Sequence, residues 1–317
     1  MNLPTACVRA APVLAVIVAL GASPQPAAAA KCVTNVWTNL EACGWAGRKN
    51  TGKRKRMKLK RTQSRTITRD NTVIKGEKIG PDGLVIDARN VVVRDSVIIK
   101  RSGPNGSGVI KILPGASAKI VRTRLNGSNG THAGIWYEGT RLVARANDIF
   151  GVNDGVFVWD ASNFILTKNY LHDFTENAGN GHVDGFQTEG ASNGVIRHNT
   201  FNVKQDQTSA IAIWNGRRDS SNILVENNLL AGGGFTIYAE DYSPSEDNPQ
   251  GGYSVTNIRF VNNKFSTVNY PCVGYWGVWF PRGAPTDGWR RTGNVVLETG
   301  RNVDTQNPPK PGGGRCE

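Results

Sequence analysis

Near the middle of the chain, the stretch GHVDGFQTEG (Gly181–Gly190) places His182, Asp184, Gln187 and Glu189 within eight positions. An imidazole and two carboxylates so close together can move protons, and the carboxylates can also ligate a hard cation. Lys204, Arg217 and Glu240 extend the set of candidate catalytic groups, with Arg218 beside Arg217. Asp206 and Asp241 join Asp184 and Glu189 as oxygen ligands for a calcium ion, although no EF-hand spacing is present. A plainer reading stands beside this one. Asp154 in NDG and Asp184 in VDG occupy equivalent turns, and an aspartate there can simply cap backbone amides.

What these residues can do depends on the elements that carry them, and the strongest signal for those is self-similarity. RNVVVRDSVI, TRLVARANDI, SNFILTKNYL, SNGVIRHNTF, SNILVENNLL and TNIRFVNNKF are variants of one pattern, with SAKIVRTRLN a weaker copy. Each reads as a short strand, a polar turn and a further apolar residue. Aligned, they set Ser96, Arg124, Asn147, Asn169, Asn199, Asn228 and Asn263 in one register. A second strand series lies between them: HAGIWYE, NDGVFVW, VDGFQTE, SAIAIWN and GFTIYAE. Alternating apolar positions and short length make these strands, and repeats of roughly 22–30 residues imply stacked parallel coils about 4.8 Å apart. Stacked asparagines suit such a coil, because an amide both donates and accepts and tolerates left-handed corners.

The repeat resembles the right-handed parallel β-helix of the pectin-lyase-like superfamily. NTG…TVIKGEKIGPDGLVIDARNVVVRDSVI (Asn50–Ile98) resembles the opening of secreted actinobacterial β-helix proteins, apart from its Lys/Arg run. The resemblance covers roughly Cys43–Asn302 and implies an all-β solenoid of about eight coils with a disulfide-clipped N-terminal cap. It leaves the reaction open, because lyases, hydrolases, epimerases, esterases and adhesins share this fold.

Strand parity then aims the side chains. With Phe186 and Thr188 facing inward, Trp136, Phe157, Gln187, Ala212 and Tyr238 form one outward column. Glu138, Trp159, Glu189, Trp214 and Glu240 form the next. Trp136, Trp159, Gln187, Trp214 and Tyr238 are therefore the candidate substrate-binding residues. Aromatic faces stack on pyranose rings, and amides and carboxylates bind hydroxyls. The competing reading is that loops cover these rings as a second small core. Gly185 is expected to leave room for a ligand near the backbone.

Three functions follow. A lyase on a uronic-acid polymer needs a cation for the carboxylate, a base for the α-proton and an acid for the leaving oxygen. The resemblance favours this one, whereas the net negative charge of residues 146–317 leans toward a hydrolase or toward a lyase in which Ca²⁺ bridges two anions. A hydrolase would pair Glu189 with Glu240, two strands and roughly 9–10 Å apart. A non-catalytic polysaccharide- or wall-binding module would need the groove alone.

The remaining features bound the setting. Residues 1–30 read as a signal peptide, with Arg9, an apolar run and small residues ending at Ala30, so the chain is expected to be secreted. Cys32, Cys43, Cys272 and Cys316 then allow three disulfide connectivities, of which Cys32–Cys43 with Cys272–Cys316 ties down the Gly/Pro-rich tail. The expected divisions are a cap with a basic first strand over 31–65, a β-helix over 66–302 and a tethered tail over 303–317. Formal charge is +13, but it is unevenly spread. Ten Lys/Arg and no acids lie between Arg48 and Arg65, whereas 146–317 holds 13 basic and 18 acidic residues. Lys53–Arg61 reads as a solvated first strand or as a contact to an anionic wall polymer. It lacks the interleaved aromatics of a nucleic-acid binder. Neither a nucleic-acid nor a membrane partner is expected, and the chain reads as a monomer.

Overall fold

A computed structural model describes residues 32–104, 106–176, 182–239, 252–280, 290–308 and 316. The expected signal peptide lies outside them. The chain is nearly all β, in a nine-stranded and a fifteen-stranded sheet, and the strand pairs are parallel. In the nine-stranded sheet neighbours follow chain order, from Val73–Lys75 to Arg290–Thr292. The fifteen-stranded sheet forks, because the long strands Arg124–Tyr137 and Asp148–Val158 each serve two rows. Their first halves pair with short strands such as Val97–Ile99 and Tyr170–His172. Their second halves pair with Gly108–Ile112 and Asp184–Glu189. Each repeat thus contributes one strand to each of three rows. Alternation turns Phe164, Leu166, Ile196, Ile223, Val225, Ile258 and Phe260 into one unbroken core.

The asparagine register holds, and it is a buried ladder. Asn147, Asn169, Asn199, Asn228 and Asn263 are at most 2% exposed. Each Nδ2 donates to the Oδ1 of the next at 2.9–3.1 Å and to a carbonyl of the preceding repeat. The series runs one member further than the sequence reading placed it, to Asn294, whose amide is capped by Asp304. It also begins differently. Thr123, not Arg124, occupies the ladder position, because its backbone N–H donates to Asn147 Oδ1 at 3.0 Å. The left-handed corner belongs to the residue before each ladder member: Arg122, Ala146, Lys168, His198, Asn227 and Asn262 all have positive φ. A second, exposed series, Asn163, Asn193, Asn222 and Asn257, links side chains along another edge.

The N-terminal segment departs from the expected cap. It is a strap that runs along the outside of the stack from the last repeats to the first. Cys32 and Cys43 are bridged. Trp37 Nε1 donates to Ser266 Oγ at 2.7 Å, and Val36, Leu40 and Ala46 pack on Tyr170 and Leu229. Farther along, Gly52 N–H donates to Ala146 O, and Arg54 reaches Asp95. The basic run Lys53–Arg61 is mostly this strap rather than a strand, since the first strand begins only at Lys60. At the other end, Cys272 pairs with Cys316. The expected tail still belongs to the fold at its start, because Val303 is fully buried and Asp304 ends the ladder. Both disulfides are compatible with an extracellular protein. Among the described residues no helix is long and apolar enough to cross a membrane.

A buried charge cluster pins the strap. His172, 1% exposed, lies between Asp148 Oδ1 at 2.8 Å and Asp173 Oδ2 at 2.9 Å. Arg124 binds Asp148 at 2.8 Å, and Arg48 of the strap binds Asp173 at 2.5 Å. Burial pushes both carboxyls up, but hydrogen bonds and charge from His172, Arg124, Arg48 and Lys204 outweigh it and hold both below the usual carboxylate range. A depressed folded-state value stabilises above the ordinary value and is lost as pH falls through the folded one. Melting curves are therefore expected to drop steeply below about pH 4, and Asp148→Asn should flatten that drop while lowering stability at pH 7.

Candidate functional site

The opening stretch lies at the entrance to the second row. His182 and Val183 lead into strand Asp184–Glu189, and Gly190 (φ 102°) turns the chain out of it. The expected register is present: Trp136 pairs with Phe157, Phe157 with Gln187, Gln187 with Ala212 and Ala212 with Tyr238. Glu189 sits beside Trp214.

The exposure is not as expected. Trp136, Phe157, Gln187 and Trp214 are only 3–6% exposed. Trp136 and Phe157 form a second small core with Ala133, with Trp159 packed against it, so this part of the column is not an open aromatic floor. Trp136 stacks on Phe157 at 4.5 Å, and Trp159 closes over both. Tyr238 stacks on Phe280 at 4.6 Å. Glu138 is paired with Lys111. Trp159 and Tyr238 remain half-buried, and Arg217 lies 4.8 Å over the Trp159 ring. Gly185 is also spoken for. A Cβ there would meet Ala210 O at 2.5 Å and the Phe201 ring at 2.6 Å, so its space is filled by core and not by ligand.

Two stacked His–Asp pairs form the chemical centre. His182 Nδ1 lies 3.2 Å from Asp184 Oδ2, and His132 Nε2 lies 3.0 Å from Asp154 Oδ2. Asp154 Oδ1 accepts the backbone N–H of Asp184 at 3.0 Å, which ties the two levels together and fulfils the turn-capping role. Ser209 donates to Asp184 Oδ1. Glu189 accepts Gly216 N–H and a bond from Gln187, both at 3.2 Å. His132, Asp154 and Ser209 were not among the sequence candidates. The repeated Asn/Val-Asp-Gly turns were the one signal for Asp154, whereas His132 and Ser209 need the strand register to be found.

The electrostatics follow from burial. Asp184 is fully buried, and desolvation with Asp154 nearby pushes its carboxyl up to about 6 against the pull of His182 and Ser209. Desolvation also raises Glu189, opposed by Gln187, Gly216 and His182. His182 feels the opposite push: burial lowers it, but Asp184, Asp154 and Glu189 together raise it. From this centre His182, at 37% side-chain exposure, and half-buried Glu189 reach solvent most, and His132 keeps 10%.

Other sequence candidates lie apart. Lys204, itself exposed, reaches Asp173 at 3.4 Å, and Asp206 is an exposed residue on the turn beside Gly234. Glu240 and Asp241 lie outside the described residues, as does most of the loop that holds them. Among the described residues, Asp184, Glu189 and Asp206 of the calcium set are not brought together. The Asp184 oxygens face Ser209 and His182, and among the described residues no three His, Cys, Asp or Glu side chains form a cage. Calcium takes six to eight oxygen ligands, more than the described members of this set supply. No protein-family model matches the chain, and no curated protein matches it.

Half-buried Trp159 carries the exposed Arg217 over its ring, next to the strand that holds Glu189. If an oligosaccharide ring rests on Trp159, Trp159→Ala should weaken its binding by about 1 kcal/mol. Titration of the variant with acidic oligosaccharides checks this, and unchanged affinity would make the ring purely a lid on Phe157.

Proposed function

We propose that the chain is a secreted right-handed parallel β-helix protein of the pectin-lyase-like type. In this reading it cleaves a uronic-acid-containing polysaccharide by β-elimination at the His182–Glu189 centre. The two rows of the forked sheet, the nine-stranded sheet and the ladder support the fold assignment. One observation carries the chemistry. Among the described residues, the groups of the centre most open to solvent are the His182 imidazole and the Glu189 carboxyl, while Asp154 and Asp184 are sealed beneath. A hydrolase needs two working carboxyl groups flanking the bond. A base and a different acid suit elimination.

The roles follow from the contacts. Asp184 holds His182 at Nδ1, so Nε2 takes the proton on the carbon next to the uronate carboxylate. The bond from the adjacent ring carbon to the glycosidic oxygen breaks, and Glu189 gives that oxygen a proton. Arg217 neutralises the substrate carboxylate, and the ring rests on Trp159. The acidic excess of 146–317 is partly offset by cations from outside that segment, since Arg124 binds Asp148 and Arg48 binds Asp173.

The pH dependence gives a test. Turnover needs His182 neutral and Glu189 protonated, so it falls on the acid side as His182 protonates and on the alkaline side as Glu189 ionises. Asp184→Asn removes a charge that raises both groups, so the optimum should move to lower pH while kcat falls. An unmoved optimum in that variant would remove Asp184 from the mechanism.

A further inference from the structure

The first repeats carry a groove of about 470 Å³ on the outer face of the fifteen-stranded sheet, away from the His182 centre. Three strands build it. Lys60–Ile67 brings Arg61 and Gln63, Glu77–Ile86 brings Lys78, Gly80 and Pro81, and the third brings Ile99 with Arg101 just beyond it. Register sets Arg61 beside Lys78 and Gln63 beside Gly80. Ile79 and Ile98 point into the core at 0% exposure, so their neighbours on each strand face outward.

The lining has two parts. Gly80, Pro81 and Ile99 make an apolar floor, and a Cβ on Gly80 would already press on Ile99 at 3.3 Å. Arg61, Lys78 and Arg101 supply the cations. Of the nearby acids, Glu77 binds Arg65 at 2.7 Å and Asp95 binds Arg122 at 2.8 Å, while exposed Asp82 beside Pro81 is one charge against three cations. Among the described residues no ion pair involves Arg61, Lys78 or Arg101. The strap brings Lys55, Arg56 and Lys58, all exposed, toward the same end of the stack. Unpaired like charges repel one another in the free protein and are relieved by an anionic ligand.

We propose that this groove binds an acidic glycan, with a uronate ring on Gly80, Pro81 and Ile99 and its carboxylate held by Arg61, Lys78 and Arg101. A flat apolar floor flanked by cations matches a ring that carries one apolar face and one anionic edge. A phosphate polymer would use the charges and leave the floor idle. The proposal takes its ligand class from the function proposed above, but it does not depend on cleavage. The site would give the polymer a second hold on the stack and raise its effective concentration at the catalytic centre.

The test is calorimetric binding of oligogalacturonate in a His182→Ala background, so that turnover plays no part. The variant Arg61→Ser/Lys78→Ser/Arg101→Ser should bind at least about tenfold more weakly, since three charge-assisted contacts are lost. A charge-matched control, Arg69→Ser/Lys75→Ser/Arg259→Ser, changes exposed cations outside the groove and should bind like its parent. Polyphosphate should bind the parent more weakly than oligogalacturonate does. Equal loss in both triple variants, no loss in the groove variant, or tighter binding of polyphosphate would each overturn the proposal. Binding that follows the groove in a protein that never cleaves uronan would support this site while contradicting the catalytic reading.

Discussion

His182→Ala and Glu189→Gln should each lower turnover on an acidic polysaccharide by at least about 10²-fold, the effect of removing one acid or base. Melting temperature should stay nearly fixed, for reasons that differ between the two. His182 is more than a third exposed, and its loss leaves Asp184 free to take up a proton, a state that burial already favours. Glu189→Gln keeps an oxygen to accept the Gly216 N–H and loses only the ability to ionise. The measurement is kcat/KM beside a thermal melt for each variant. Wild-type rates in both would reduce the centre to a structural knot of charges.

Asn199→Ala should destabilise the fold by on the order of 4 kcal/mol. The Asn199 amide sits mid-ladder and makes four bonds with no access to water. It donates to Leu166 O and Asn228 Oδ1, and it accepts from the N–H and the side chain of Asn169. Alanine orphans two buried donors on Asn169 alone, each costing about 1–3 kcal/mol. Asn193→Gly, in the exposed series, keeps its left-handed corner and should cost no more than about 0.5 kcal/mol. Chemical denaturation of the two variants measures the difference. Equal stabilities would mean that the buried ladder is no stronger than the solvated one.

The contrast between these two asparagine series shows how far the sequence could be read. Spacing alone set Asn147, Asn169, Asn199, Asn228 and Asn263 in line, because a ladder requires one member per repeat. It missed Asn294, whose repeat is degenerate, and it shifted Thr123 to Arg124 where the early repeats lack asparagine. Parity correctly turned Trp136, Phe157 and Trp214 out of the main core. Parity cannot tell whether an outward ring meets solvent or another ring, and here the rings cover one another. His182 and Asp184 were legible because they are neighbours in the chain. His132 and Asp154 were not, since their pairing exists only after two repeats stack. The strap was the least accessible feature: contacts such as Trp37 with Ser266 join the two ends of the sequence, and no local pattern announces them.

The proposed elimination is tested most directly by its product. Purified protein incubated with polygalacturonate should generate unsaturated uronate ends, read by ultraviolet absorbance, in a one-to-one ratio with new reducing ends. Reducing ends formed without that absorbance would contradict the account and assign the centre to hydrolysis. Binding with neither signal, across a panel of uronic-acid polymers, would contradict it as well and leave a polysaccharide-binding stack.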